Sequence, residues 1–197
     1  MKKINTYIVE KLNKINSKNL HHISKYQVGD VIKDYQINPY VKMNIVCVIS
    51  GDDIEDGIDR FIVDYNRTID FPFGKYIIID FKDENDINGL ENSKNIRDKY
   101  FQLKTKIPCG LVRLNNFLST NVYVPAIKEL QLMYDNIDII NKSLKDPLDL
   151  GHSYLSSTQK DDRNVYALNT KGEICFKNKD EHLRCLPFIQ IDKKYFK

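Results

Sequence analysis

Cys175, His182 and Cys185 are of the residue types that bind zinc, as thiolates and imidazole. They include no Cys-x-x-Cys pair, and the sequence offers no fourth ligand beside them, so they read as ordinary side chains of a β-rich segment. His21 and His22 are adjacent and diverge on either a helix or a strand. Calcium chemistry has partial candidates. Glu84, Asp86, Asn88 and Gly89 follow part of an EF-hand loop, but its last position is Asn95 where a bidentate Glu is needed. Asp52, Asp53, Glu55, Asp56 and Gly57 also miss that spacing. Cys109 follows Pro108 with no charged neighbour or helix start to lower its pKa. The chain has no G-x-S-x-G elbow, no phosphate-binding loop and no G-x-G-x-x-G. The expectation is a protein without cofactor or metal that binds and does not catalyse.

Composition narrows the partners. The chain has 197 residues, 42% hydrophobic and 29% charged, with a net charge of +3 and no dense Lys/Arg tract. That balance gives no footprint for nucleic acid. No apolar run reaches the roughly 20 residues that span a bilayer. Polar Glu10, Lys11, Asn13 and Lys14 break up what would be the apolar stretch of a secretory signal. The four cysteines are too sparse for a disulfide scaffold and are expected to be reduced, buried thiols.

The elements that would position any site follow from periodicity. Ile4, Tyr7, Ile8, Leu12 and Ile15 fall on one stripe of a helix over the first sixteen residues. A polar linker, 17–27, separates that arm from the rest. The arm can pack on its own domain, or it can serve as an apolar handle for another protein's groove. After Val28-Gly29-Asp30, strands are expected at Val41–Ile49, Arg60–Tyr65 and Lys75–Phe81, with an acidic loop from Asp83 to Glu91. Helices are expected within Asn95–Leu103, near Leu111–Phe117, and from Pro125, suited to a first helical position, as far as Leu144. Tyr154–Thr158, Asn164–Thr170, Glu173–Phe176 and Leu183–Ile191 read as strands, with Lys171-Gly172 as a hairpin turn. Pro187 implies an edge strand or a bulge. Tyr154 and Leu155 should face opposite sides of their strand, one in the core and one partly wet.

Four blocks in the C-terminal half carry a resemblance. They are Val122-Tyr123-Val124-Pro125-Ala126-Ile127-Lys128-Glu129-Leu130, Tyr154-Leu155-Ser156-Ser157-Thr158, Asn164 to Asn169 with Gly172, and Leu183-Arg184-Cys185-Leu186-Pro187-Phe188. In this order they resemble the bacterial and phage branch of C-type-lectin-like domains, distant relatives of the formylglycine-generating enzyme fold. The resemblance covers about residues 105–191. It implies an α+β fold of mixed antiparallel sheets and two or so helices over 28–197, preceded by the short amphipathic N-terminal helix. Pro125, Glu129, Leu130, Tyr154, Ser156, Ser157, Thr158, Arg184 and Pro187 stand at its motif positions. Leu155 replaces the motif's Trp, Leu186 its second Arg, and Ala126 the usual Ser. Ile4 to Leu12 is similar to N-terminal arms of virion proteins in crAss-like gut bacteriophages.

Together, these resemblances imply a virion structural protein made in the bacterial host cytoplasm: a capsid decoration, head fibre or adhesin. It would dock on other virion proteins through its arm and display the lectin-like domain, as a homo-oligomer, toward a host-surface glycan or protein. Ligand contact is expected on two loops, through Asp149 and His152 in one and Gln159, Asp161 and Arg163 in the other. The alternatives are a glycan- or peptide-binding protein outside any particle and an enzyme of the formylglycine-generating type.

Overall fold

The computed structural model describes residues 26–64, 69–74, 77–103, 109, 111–112 and 122–192. The arm, most of the linker and most of the stretch expected as a helix near Leu111–Phe117 lie outside these residues. The described part is α+β: two β-sheets and three helices.

The first sheet joins β1 (Val31–Asn38), β2 (Val41–Ile49), β3 (Ile58–Val63) and β9 (Phe188–Asp192), in that order and antiparallel throughout. The second joins β4 (Ile69–Phe71), β8 (Leu183–Cys185), β5 (Tyr154–Gln159), β6 (Asn164–Leu168) and β7 (Ile174–Asn178). Only β5 and β8 run parallel in it, at Tyr154 against Arg184. The helices are α1 (Gly89–Gln102), α2 (Ile127–Asp135) and α3 (Ile137–Ser143).

The apolar run Ile45 to Ile49 of β2 is buried on both faces. Ile45 and Cys47 enter one hydrophobic cluster with Phe61, Leu155, Val165 and Ala167. Val46 and Val48 enter a second, with Leu130, Met133 and Ile140 of the helices, Tyr154 and Leu168. Covering both faces of a strand is what lets it carry a near-continuous apolar sequence. The same geometry corrects the reading of β5. Tyr154 and Leu155 do face opposite sides, yet both are buried, because each side carries its own cluster.

Other departures have local causes. Lys75–Phe81 is not a strand in its described part: the Ile79 amide donates to the Gln159 side chain (2.9 Å) and the Ile77 carbonyl accepts from Lys179 Nζ (2.8 Å). Side chains thus replace a ladder there. The first described helix starts at Gly89, inside the expected acidic loop, so Glu91 lies in its first turn, where a carboxylate favours the helix dipole. The segment expected as one helix from Pro125 to Leu144 is two, parted at Asn136. Pro125 precedes the N-cap Ala126 and is not the first helical residue. The expected strand Leu183–Ile191 divides at Leu186-Pro187 into β8 and β9, which belong to different sheets. Pro187 therefore marks a crossing, and it leads into β9, an edge strand. Gly172 closes the β6–β7 turn with φ +78°.

Candidate functional site

Of the motif positions, Pro125, Glu129, Leu130, Ser156, Ser157 and Thr158 lie about one buried polar centre. Glu129, in the first turn of α2 and fully buried, accepts from Arg60 Nε of β3 (2.6 Å), from the Tyr123 hydroxyl (3.0 Å) and from the Ala126 amide (2.8 Å). Arg60 also pairs with Asp56 at 2.7 Å. Burial pushes the Glu129 carboxyl above the ordinary carboxylate range, opposed by Arg60 and by its hydrogen-bond donors. The Tyr123 phenol is driven well up by burial and by the Glu129 charge. Burial works against the Arg60 guanidinium, but Asp56 and Glu129 outweigh it and raise its pKa.

The open amides at the start of α2 find partners in three separate elements. Ala126 N–H is taken by Glu129, Ile127 N–H by Thr158 Oγ1 (2.9 Å) and Lys128 N–H by the Asp86 carbonyl (3.1 Å). Thr158 in turn donates to Asp86 Oδ2 (2.9 Å), to which Asn92 of α1 also donates. The cap that Ala126 cannot supply is thus provided by Thr158, a strand away. Ser156 Oγ donates to the Tyr166 carbonyl (2.7 Å), and Ser157 N–H to the Pro125 carbonyl (2.8 Å). Ser157 Oγ is buried with no hydrogen-bond partner among the described residues. Leu130 lies in the core. This centre holds α1, α2, β3 and β5 together, and its members face inward.

The ligand-loop residues form two groups. Asp149 accepts from Arg184 Nη1 (2.8 Å) of β8 and from the Gly151 amide (2.7 Å), and its third contact is His152 Nδ1 at 3.0 Å. Asp149 and His152 are about half exposed. The Gly151 amide, with Arg184 and His152, holds the Asp149 carboxyl below the ordinary value. Arg184, a motif position, thus orders this loop. The Tyr154 hydroxyl closes it by donating to the Asp149 carbonyl (2.8 Å), and burial raises that phenol to about 12.

Gln159, Asp161 and Arg163 lie at the other end of β5. A six-residue strand sets its two ends about 17 Å apart, so the two loops do not form one site. Gln159 is fully buried, spent on Ile79 N–H and the Asp161 carbonyl (2.8 Å). Asp161 accepts from Asn164 and from the Arg163 amide, which lower its pKa.

That second end carries features the sequence reading did not single out. Phe176 of β7 is 51% exposed and meets the Tyr166 ring edge-on at 5.2 Å. Lys160 Nζ sits 3.1 Å from the Phe176 ring centre. The 80–84 loop is tied alongside by Lys82 N–H to the Gln159 carbonyl (3.0 Å). Burial, then the Glu84 and Asp83 charges, raise the Tyr166 phenol. Lys179, 1% exposed, donates to Ile77, and burial lowers its pKa to about 8 despite Asp162 and Asp161. Lys160, Tyr166 and Phe176 alternate in no single segment, which is why periodicity did not pair them.

A cleft of about 320 Å³ between α1 and the 79–80 segment is lined mostly by polar groups, including Asp80, Asn95, Asp98 and Lys99. Among the described residues no group of three or more His, Cys, Asp or Glu side chains is placed to hold a metal ion. Cys175, His182 and Cys185 form no such group, and none of Cys47, Cys109, Cys175 and Cys185 is joined in a disulfide among the described residues. No helix among the described residues is long and apolar enough to cross a membrane.

No protein-family model and no curated protein sequence matches the chain. Its structure is similar to that of a fimbrial protein from Bacteroides ovatus ATCC 8483, with a TM-score of 0.50 and 18% identity. The match covers 68% of this chain and 36% of the fimbrial one, so the chain spans about a third of that protein's length. The likeness is one of fold.

Proposed function

We propose that the chain is a non-enzymatic binding and assembly module of a surface structure, specifically a bacteriophage virion protein that docks by residues 1–16 and displays the described domain. The observation that carries this reading is the fold shared with part of a fimbrial protein. The disposition of polar groups supports it. Glu129, Arg60, Tyr123, Thr158 and Asp86 are satisfied by one another and rigidify the junction of helices and sheets. Glu129 and Asp86 are buried in that junction. Asp149 and His152 meet solvent on a loop at one end of β5, and exposed Asp162 and Arg163 on a loop at the other, as expected of recognition surfaces on a rigid scaffold. In this reading the fold is the C-type-lectin-like one, and the motif residues are its framework.

The test is incorporation. Virions assembled with the full-length chain should contain it, and those assembled with a chain lacking residues 1–16 should not, while that shortened chain keeps the full-length melting temperature. Equal incorporation of both would remove the docking role from the arm.

A second reading is favoured by Phe176 and the Asp149 loop, whose exposure suits a glycan or peptide bound outside any particle. Glycan-array binding by a chain absent from virions would select it.

A further inference from the structure

β7 pairs with β6 on one side and has no strand on the other among the described residues. The Asn169 amide donates to the Glu173 carbonyl (2.9 Å) and the Lys179 amide to the Arg163 carbonyl (2.9 Å). In an antiparallel ladder those two bonds fix the alternation, so Glu173, Cys175 and Lys177 turn their peptide groups to β6, while Ile174, Phe176 and Asn178 turn theirs outward. At either end of this edge the amides are spent. Asn178 N–H goes to Glu181 Oε1 (2.9 Å), and Gly172 N–H to the Asn169 carbonyl (3.1 Å). What is left is the N–H and C=O of Ile174 and of Phe176, which make no hydrogen bond among the described residues.

Such a set is satisfied by a copy of itself. Across a two-fold axis, Ile174 opposite Phe176 of a second copy, and the reverse, satisfies every one of these groups on both strands. Sliding the partner by two residues would call on the Asn178 or the Gly172 amide, each already donated. Sliding it by one would set outward residues against inward ones. The side chains agree with the register that remains. It places exposed Glu173 opposite Lys177 of the second copy, twice, and Cys175 opposite itself at the centre. Opposite charges directly across two strands stabilise their pairing and like charges oppose it.

We infer that two copies of this chain pair through their β7 edges, antiparallel and centred on Cys175, joining their second sheets into one across a two-fold axis. This surface goes beyond the proposed function and does not depend on the arm.

The experiment uses the full-length chain and sedimentation equilibrium. The wild type should form a dimer. Glu173→Lys alone and Lys177→Glu alone each set like charges across the axis, so each should weaken the dimer about fivefold or more, with unchanged melting temperature. Mixed in equal amounts, the two variants regain two opposite-charge pairs, and the mixture should associate within about twofold of wild type. Cys175 supplies an independent readout. Residues opposed without mutual hydrogen bonds have Cα atoms about 4.5 Å apart, inside the range a disulfide spans. Diamide, which takes two electrons and two protons from a thiol pair, should therefore yield a covalent dimer of wild type and none of Cys175→Ser, which still dimerises reversibly. A chain that stays monomeric, a mixture no stronger than its separate variants, or no covalent dimer dependent on Cys175 overturns the inference. A chain that pairs in this way and yet is absent from virions leaves the pairing standing and removes the proposed function.

Discussion

Glu129 is the residue on which the described fold turns. It is fully buried and takes three donors, from a strand, a tyrosine and its own helix start. Glu129→Gln removes the charge that Arg60 faces. Breaking a buried pair from one side costs about 3 kcal/mol or more, so this variant should lose that much in urea unfolding. A loss below about 1 kcal/mol would show that Asp56 alone satisfies Arg60. Ser157 points the other way. Its hydroxyl is buried without a partner among the described residues, so Ser157→Ala removes a desolvated group and should be neutral or stabilising by up to about 1 kcal/mol in the same assay. Destabilisation would mean that the hydroxyl is satisfied after all. Lys179 gives a pH signature. Its folded pKa, about 8, lies below the unfolded value of 10.5, so the unfolded chain holds more protons between the two. Its burial therefore costs stability below pH 8, and that cost is relieved as pH rises toward 10.5. Tyr154 and Cys47, both raised to about 12, act in the opposite sense at alkaline pH. The stability of wild type minus that of Lys179→Met isolates the lysine, and it should climb from pH 8 to pH 10. A flat difference would contradict the assignment.

Among the elements, the start of α2 depends on a glycine in another helix. A Cβ on Gly89, the first residue of α1, would lie within 2.3 Å of Glu129 Oε2 and 2.6 Å of Ala126 N. Gly89→Ala should therefore cost about 2 kcal/mol through forced displacement of the capping carboxylate, measured by thermal unfolding. An unchanged midpoint would mean that α1 can slide away from α2. This junction also marks the limit of what the residues told in advance. The strand Val41–Ile49, the hairpin at Gly172 and the β5 segment were legible because β-branched runs and a positive-φ glycine are local signals. The partners of Glu129 were not. Arg60 is 69 positions away, and the cap at Ile127 comes from Thr158, so the contacts exist only once the sheets pack. Lys75–Phe81 looked like a strand for the same reason: Ile77 and Ile79 are buried, but their polar groups pair with the side chains of Lys179 and Gln159. Likewise, Gln159 was expected on a ligand loop, but its side chain is buried and pairs with Ile79 N–H and the Asp161 carbonyl.

At the scale of the molecule, a framework closed upon itself leaves the loops of the described domain as parts able to meet partners. The fold is similar to that of part of a fimbrial protein. The central claim is that this chain is a component of a particle, held there by residues 1–16. The direct measurement is quantitative mass spectrometry of purified virions carrying either the full chain or one starting at residue 17. The account predicts a fixed copy number for the full chain and loss of at least nine-tenths of it for the truncated one, with both chains equally folded in solution. Absence of the full chain from virions, or equal copy numbers for the two, would contradict it.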